Sequence, residues 1–141
     1  MLVDANLLLF AVDERSPRQE AAARWLSEQL AGAARIGLPW ESLGAFLRLS
    51  THPRIFERPL TPETATGLVR EWLASEVVWT PLPTARHGEV LMSLVTTHRI
   101  AGNLITDARL AALAIEHGLT VYSDDSDFAS FPEVRWINPL H

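Results

Sequence analysis

Cysteine is absent from the 141 residues, so a disulfide framework, thiolate zinc sites and a cysteine nucleophile are all excluded. Lysine is absent as well: all 12 basic residues are arginine, which removes P-loop phosphate binding, Schiff-base chemistry and a lysine general base. The lysine-free, alanine-rich make-up also suits a GC-rich coding genome, so it serves only as an exclusion. Long apolar runs are missing. None approaches the ~18 residues of a membrane span, and Asp4 stands where a signal peptide carries its basic start, so a cytoplasmic protein with no membrane partner is expected. A basic surplus is missing too. The formal charge of -5 argues against non-specific coating of nucleic acid, though not against an enzyme that meets it through metal ions.

What is present suffices for a core without staples, and no repeat, linker or low-complexity tract divides it, so a single domain over residues 1–141 is expected. The opening MLVDANLLLF reads as a buried strand interrupted by Asp4 and Asn6, which fit best where the strand ends and the chain turns toward a helix. Ser16-Pro17 then looks like a cap and first helical residue, followed by Ala21, Ala22, Trp25, Leu26 and Leu30 at helical spacing up to Gly32. Ile36 to Pro39 is a short strand, and Trp40 to Ser50 a helix with Glu41 in its first turn. THPRIFERPLTPE is a loop, Thr61-Pro62 starts another helix, and Val77-Val78-Trp79 is a strand. Helices follow around Val90 to Val95 and from Asn103 to a stop at Gly118. Leu119 to Tyr122 is a strand, SDDSDFASFP a loop, and Val134 to Ile137 a last strand. This alternation predicts an α/β fold with a parallel sheet between helical layers, whose ligands bind at the carboxyl ends of the strands.

Several acids share that address: Asp4 after the first strand, Glu41 after the second, Asp107 early in the late helix, and Asp124, Asp125 and Asp127 after the fourth strand. Ionised carboxylates in one place repel, and a divalent cation reverses that cost. An all-oxygen set points to magnesium or manganese over zinc. Taken singly, Glu41 and Asp107 could merely complement a helix dipole, and SDDSDF could be an ordinary turn. Asp4, at the mouth of a buried strand, is seldom needed for a fold.

The order of these residues carries a resemblance. VDANLLL, LPWESLGAFLRL with HPRIF, GNLITDARLAALAIEHG, and YSDDSDFASFP ending in VRWINPL together resemble a PIN-domain ribonuclease, and within that superfamily the VapC toxins of VapBC toxin-antitoxin pairs. The resemblance runs essentially end to end. It implies a three-layer α/β/α PIN-like domain with a central, mostly parallel, twisted sheet of four to five strands. It also implies a catalytic quartet of Asp4, Glu41, Asp107 and Asp125. Of these, Asp4, Asp107 and Asp125 would hold Mg2+ (or Mn2+), and Glu41 would orient the attacking water or hold a second ion. Ser123 replaces the family's usual threonine, keeping its hydroxyl, and Asn6, Ser123 and Asp127 are expected to support the carboxylates. Further implications are RNA as substrate, a homodimer, and a VapB-type antitoxin whose tail enters the acidic cleft.

For contacts to the RNA backbone, Arg48, His52, Arg54 and Arg58 form the densest basic stretch, with Arg15 and Arg18 nearer the start. Trp40, Trp72 and Trp79 fall within apolar patterns and read as core or interface, leaving Trp136 open. His87-Gly88-Glu89 has the H-x-E spacing of zinc deaminases without their cysteines. A phosphatase of the haloacid dehalogenase type is the competing enzyme, but its D-x-D opening is here D-x-N and its lysine is missing. Receiver domains fail on the same lysine. An inactive RNA-binding or dimerisation module is the competing non-enzyme.

Overall fold

The computed structural model describes all 141 residues. Strand β1 is only Leu2–Val3, and the chain turns at once into helix α1, Ala5–Val12. Asp4 makes that turn: its backbone is extended and its carboxylate accepts a hydrogen bond from the Ala5 N–H as an N-cap. The apolar stretch Leu7 to Phe10 is therefore helical, in keeping with a strand that ends at Asp4 where the chain turns toward a helix. A continuous apolar run cannot by itself distinguish a buried strand from a buried helix, and the capping aspartate decides here. Helix α2, Gln19–Ala31, begins later than Ser16-Pro17 suggests, because the Ser16 hydroxyl accepts from the Arg18 N–H within a turn that precedes it.

The remaining elements are β2 (Ile36–Gly37), α3 (Trp40–Ser50), α4 (Pro62–Ala74), β3 (Val78–Trp79), α5 (His87–Thr97), α6 (Leu104–His117), β4 (Val121–Tyr122), a 3-10 turn (Ser126–Ser130) and β5 (Trp136–Ile137). The 3-10 turn lies in the stretch expected to be plain loop. Gly118, at φ +66, ends α6 in the left-handed conformation that glycine adopts without strain.

The five strands pair in the order β3-β2-β1-β4-β5, every pair parallel. Consecutive residues of β1 face opposite sides, and each side has its own core. Leu2 packs with Leu113, Val121, Phe128 and Phe131 beneath α5 and α6. Val3 packs with Leu7, Leu8, Ile36, Phe46 and Trp72 beneath α1, α3 and α4, where the Phe46 and Trp72 rings meet edge to face at 4.8 Å. The result is the three-layer α/β/α arrangement. Gly37 lets β2 lie close against its neighbours, since a Cβ there would meet the Met1 carbonyl oxygen and Pro81 Cγ at 3.0 Å. No helix is long and apolar enough to cross a membrane.

The chain leaves β1 toward β2 and β3 on one side, then returns to β4 and β5 on the other. Neighbouring strands that send the chain in opposite directions leave a crevice at their carboxyl ends. Between β1 and β4, Asp4 and Ser123 are the first residues to enter it.

Candidate active site

Ser123 is fully buried at the end of β4 and organises the crevice. Its hydroxyl donates to Asp4 Oδ2 at 2.7 Å and accepts from Asn6 Nδ2 at 3.1 Å and from the Asp125 N–H at 3.0 Å. The Trp136 indole N–H donates to the Ser123 carbonyl at 2.9 Å. One small side chain thus ties the first strand's exit to the loop after the fourth, across 119 positions of sequence. Asn6 adds a second tie, its side-chain oxygen accepting from the Asp124 N–H at 3.3 Å. Asp125 in turn caps the 3-10 turn by accepting from the Asp127 N–H at 2.8 Å, which orients the Asp125 carboxylate.

Asp107, in the first turn of α6, meets this loop. Asp107, Asp125 and Asp127 each place a carboxylate oxygen within 4.8 Å of the other two. Burial, and then the charges of Asp125, Asp4 and Asp127, push the Asp107 carboxyl up from 3.8 to about 7. Burial also raises Asp4; hydrogen bonds from Ser123 and Ala5 pull it back in part, and the Asp125 charge adds to the rise. Acids crowded so that two of them, Asp4 and Asp107, resist ionisation form a site that a positive charge would relieve. Oxygen donors alone, with no imidazole or thiolate beside them, suit a hard divalent cation of the magnesium or manganese kind.

The expected residues do not all fall together. Asp127, expected to support the others, offers an oxygen in the tightest group, whereas Asp4 lies beside that group, held by Ser123. Asp124, one of the three acids after the fourth strand, is not in the tight group: it accepts from Asn138 Nδ2 at 2.8 Å and pairs with Arg18. Glu41 stands in the first turn of α3, mostly buried, with Arg109 Nη2 at 3.7 Å. Its carboxylate belongs to neither the tight group nor the charges that raise Asp107.

The basic candidates lie further off. Glu41 lies in the first turn of α3 and exposed Arg48 in its last, ~10 Å along the axis. Asp4 caps one end of α1, and Arg15 follows the other, paired with Glu57. Arg15 and Arg58 share a cavity of about 470 Å³ there, walled by Val12, Phe56 and Leu60. Arg54 is exposed in the same loop, its N–H donating to His52 Nδ1 at 3.0 Å. The nearest cation to Glu41 is Arg109, which sequence reading passed over. Its signal was its place two residues after Asp107, on the same turn of helix.

Two tryptophans lie near these residues. Trp40, expected in the core or at an interface, is the first residue of α3 and is 52% exposed, which rules out the core. Trp136, the open case, is half-buried and hydrogen-bonded to Ser123. The histidines are occupied elsewhere: His87 Nδ1 lies 2.5 Å from Glu116, and His98 Nε2 lies 2.7 Å from Glu133.

Comparison with known proteins gives a consistent pattern. The PIN domain family model matches residues 1–134. Ribonuclease VapC37 of Mycobacterium tuberculosis is 44% identical over 138 residues, 98% of this chain and 96% of its own length. Ribonuclease VapC33 of the same species is 36% identical over 140 residues, 99% of this chain and 98% of its own. Among solved structures, VapBC-1 from nontypeable Haemophilus influenzae superposes with a TM-score of 0.71 at 13% identity, covering 99% of this chain and 98% of that one. Mycobacterium tuberculosis VapC20, described as a sarcin-ricin loop cleaving toxin, does so with a TM-score of 0.69 at 22% identity, covering 95% and 98%.

Proposed function

From the premise that this chain belongs to the PIN-domain family, as one of its VapC ribonucleases, we propose that it is a metal-dependent endoribonuclease and the toxin of a VapBC-type pair. The observation that carries the chemistry is the convergence of Asp107, Asp125 and Asp127, where burial and then the charges of Asp125, Asp4 and Asp127 push Asp107 up to about 7. A cluster so placed at a strand-end crevice destabilises its own charged form unless a cation joins it. No phosphatase motif competes, since the D-x-D opening and the lysine are both missing.

Asp107 and Asp125 would hold Mg2+, or Mn2+, with Asp127 as a further oxygen and Asp4 completing the set directly or through water. When bound, such an ion lowers the pKa of a water and offsets charge that builds on the phosphate oxygens. Ser123 holds the Asp4 carboxylate and the Asp125 backbone in one orientation, which would limit the rearrangement that ion binding requires. Glu41, at the rim, would orient the attacking water. That water's oxygen bonds to phosphorus as the bond to the leaving ribose oxygen breaks. Arg15, Arg48, Arg54 and Arg58 would meet phosphates some nucleotides away, being a helix length from the acids. In the cell the enzyme would act as a homodimer in the cytoplasm and be silenced by a VapB-type antitoxin reaching the acidic crevice.

The test is cleavage of labelled RNA by the purified chain. Mg2+-dependent cutting that stops with EDTA and with Asp4→Asn is the expected result. Cutting that survives EDTA would exclude metal-dependent hydrolysis, and no cutting by the wild type of any RNA offered would favour the inactive-module reading. Sequencing the 5′ ends of RNA cleaved after controlled expression would identify the target.

A further inference from the structure

Beside the acids lies a second hollow. Trp40, Glu41, Leu82, Pro83, Thr106 and Arg109 line a groove of about 380 Å³, within the ~300–1,000 Å³ of small-ligand clefts. It meets the expected catalytic set through Glu41, which lines it with Arg109 Nη2 at 3.7 Å. Three of its side chains are more than half exposed: Trp40 at 52%, Leu82 at 60% and Arg109 at 53%.

Exposed large apolar groups on a loop are usually mobile, yet this loop is tied down at two points from the far end of α6. His117 Nε2 donates to the Leu82 carbonyl at 2.7 Å. Buried Glu116 accepts from the Thr84 N–H at 2.8 Å and from the Thr84 hydroxyl at 2.7 Å. The opposite wall is the first turn of α3. Leu82 and Pro83 therefore face Trp40 across a slot whose two sides are fixed by separate elements.

We propose that this slot is a nucleobase subsite, in which the Trp40 indole stacks on a base of single-stranded RNA next to the scissile phosphate and Arg109 meets the adjoining phosphate. The assignment rests on the RNA-cleaving reading above. A flat aromatic face bordered by apolar walls and one guanidinium matches the two faces of a nucleotide, planar base and anionic phosphate. The chain's charge of -5 gives it little general attraction for a polyanion, so affinity near the site must come from contacts other than bulk electrostatics. Stacking supplies that affinity and tolerates different bases.

Steady-state cleavage of a short single-stranded RNA oligonucleotide of mixed sequence, in Mg2+, tests it. Trp40→Ala is expected to raise KM by roughly 5- to 100-fold while changing kcat far less. Trp40→Phe retains a stacking ring and should keep KM near wild type, which guards against a misfolded alanine variant. In an Asp125→Asn background, where the RNA is not cut, the same oligonucleotide should quench tryptophan emission, and Trp40→Phe should remove most of that quenching. An unchanged KM in Trp40→Ala, with wild-type cleavage intact, overturns the subsite and leaves the nuclease standing. An unchanged KM with a smaller particle by light scattering overturns it in favour of a contact between copies of the chain. A wild type that cuts no RNA overturns both readings.

Discussion

At the scale of single residues, Asp107 concentrates the tension of the site. Its folded-state pKa of about 7 lies above the ordinary 3.8, so the fold favours its protonated form. The sign follows: stability that Asp107 contributes below pH ~4 is lost as the pH rises toward 7. Without metal, Asp107→Asn should therefore melt at a higher temperature than wild type. The gap should be full above pH 7 and close as the pH falls toward about 4. The same variant should cut RNA at least ~100-fold more slowly, since a lost ligand costs no less than a lost supporting group. Melting curves in EDTA across this range check the first half; identical curves at every pH would contradict it. Ser123→Ala removes the hydroxyl that holds Asp4, Asn6 and the Asp125 N–H together. A ~10–100-fold fall in activity, or a matching loss of metal affinity, is expected while the fold persists.

Among the elements, α6 has a different task at each end. Its first turn brings Asp107 to the acids, and its last turn brings Glu116 and His117 to the loop before α5, ~14 Å away along the axis. Burial alone would raise the Glu116 pKa, but hydrogen bonds from His87 and Thr84 outweigh it and hold the carboxylate below its ordinary value. Its contribution to stability is complete above the ordinary 4.5 and vanishes as the pH falls through the lowered folded value. Glu116→Ala should cost about 1–3 kcal/mol at pH 7, because the Thr84 and His87 donors lose their acceptor. That deficit should shrink in acid; denaturant titrations at pH 7 and pH 3 would show it, and an equal deficit at both would refute the account.

The elements also show what a sequence can and cannot reveal. Helix α3 and the start of α4 are readable to the residue, because proline stands at or before each start and an amphipathic pattern fills each interior. Strands were located but drawn too long, since extended backbone continues past the paired residues. Helix α1 was hidden by its own hydrophobicity: Leu7 and Leu8 are buried, and no polar face marks the period. In the candidate site, although an acid at a helix start is by itself ordinary, the meeting of Asp107 with the loop after β4 was legible because the acids fall at one end of a parallel sheet. Arg109, Asp127's place in the tight group, and the exposure of Trp40 were not. Each depends on which way a side chain leaves a turn, and spacing along the chain does not determine that.

At the scale of the whole molecule, the parallel sheet brings residues 4, 107 and 125 to one crevice by placing β4 beside β1. Loop, helix and strand are thus coupled through a charge that none can neutralise alone. Mg2+ should raise the melting temperature of the wild type, and more so at pH 8 than at pH 6, where protons compete for Asp107. Asp125→Asn should lose most of that rise, and a rise independent of both pH and Asp125 would place the ion elsewhere.

Anomalous diffraction from crystals soaked in Mn2+ reaches the centre of the account most directly. A peak between the carboxylates of Asp107 and Asp125, in reach of Asp4 or Asp127, is the expected result. Crystals that take up manganese only at other acids, or not at all, would contradict it.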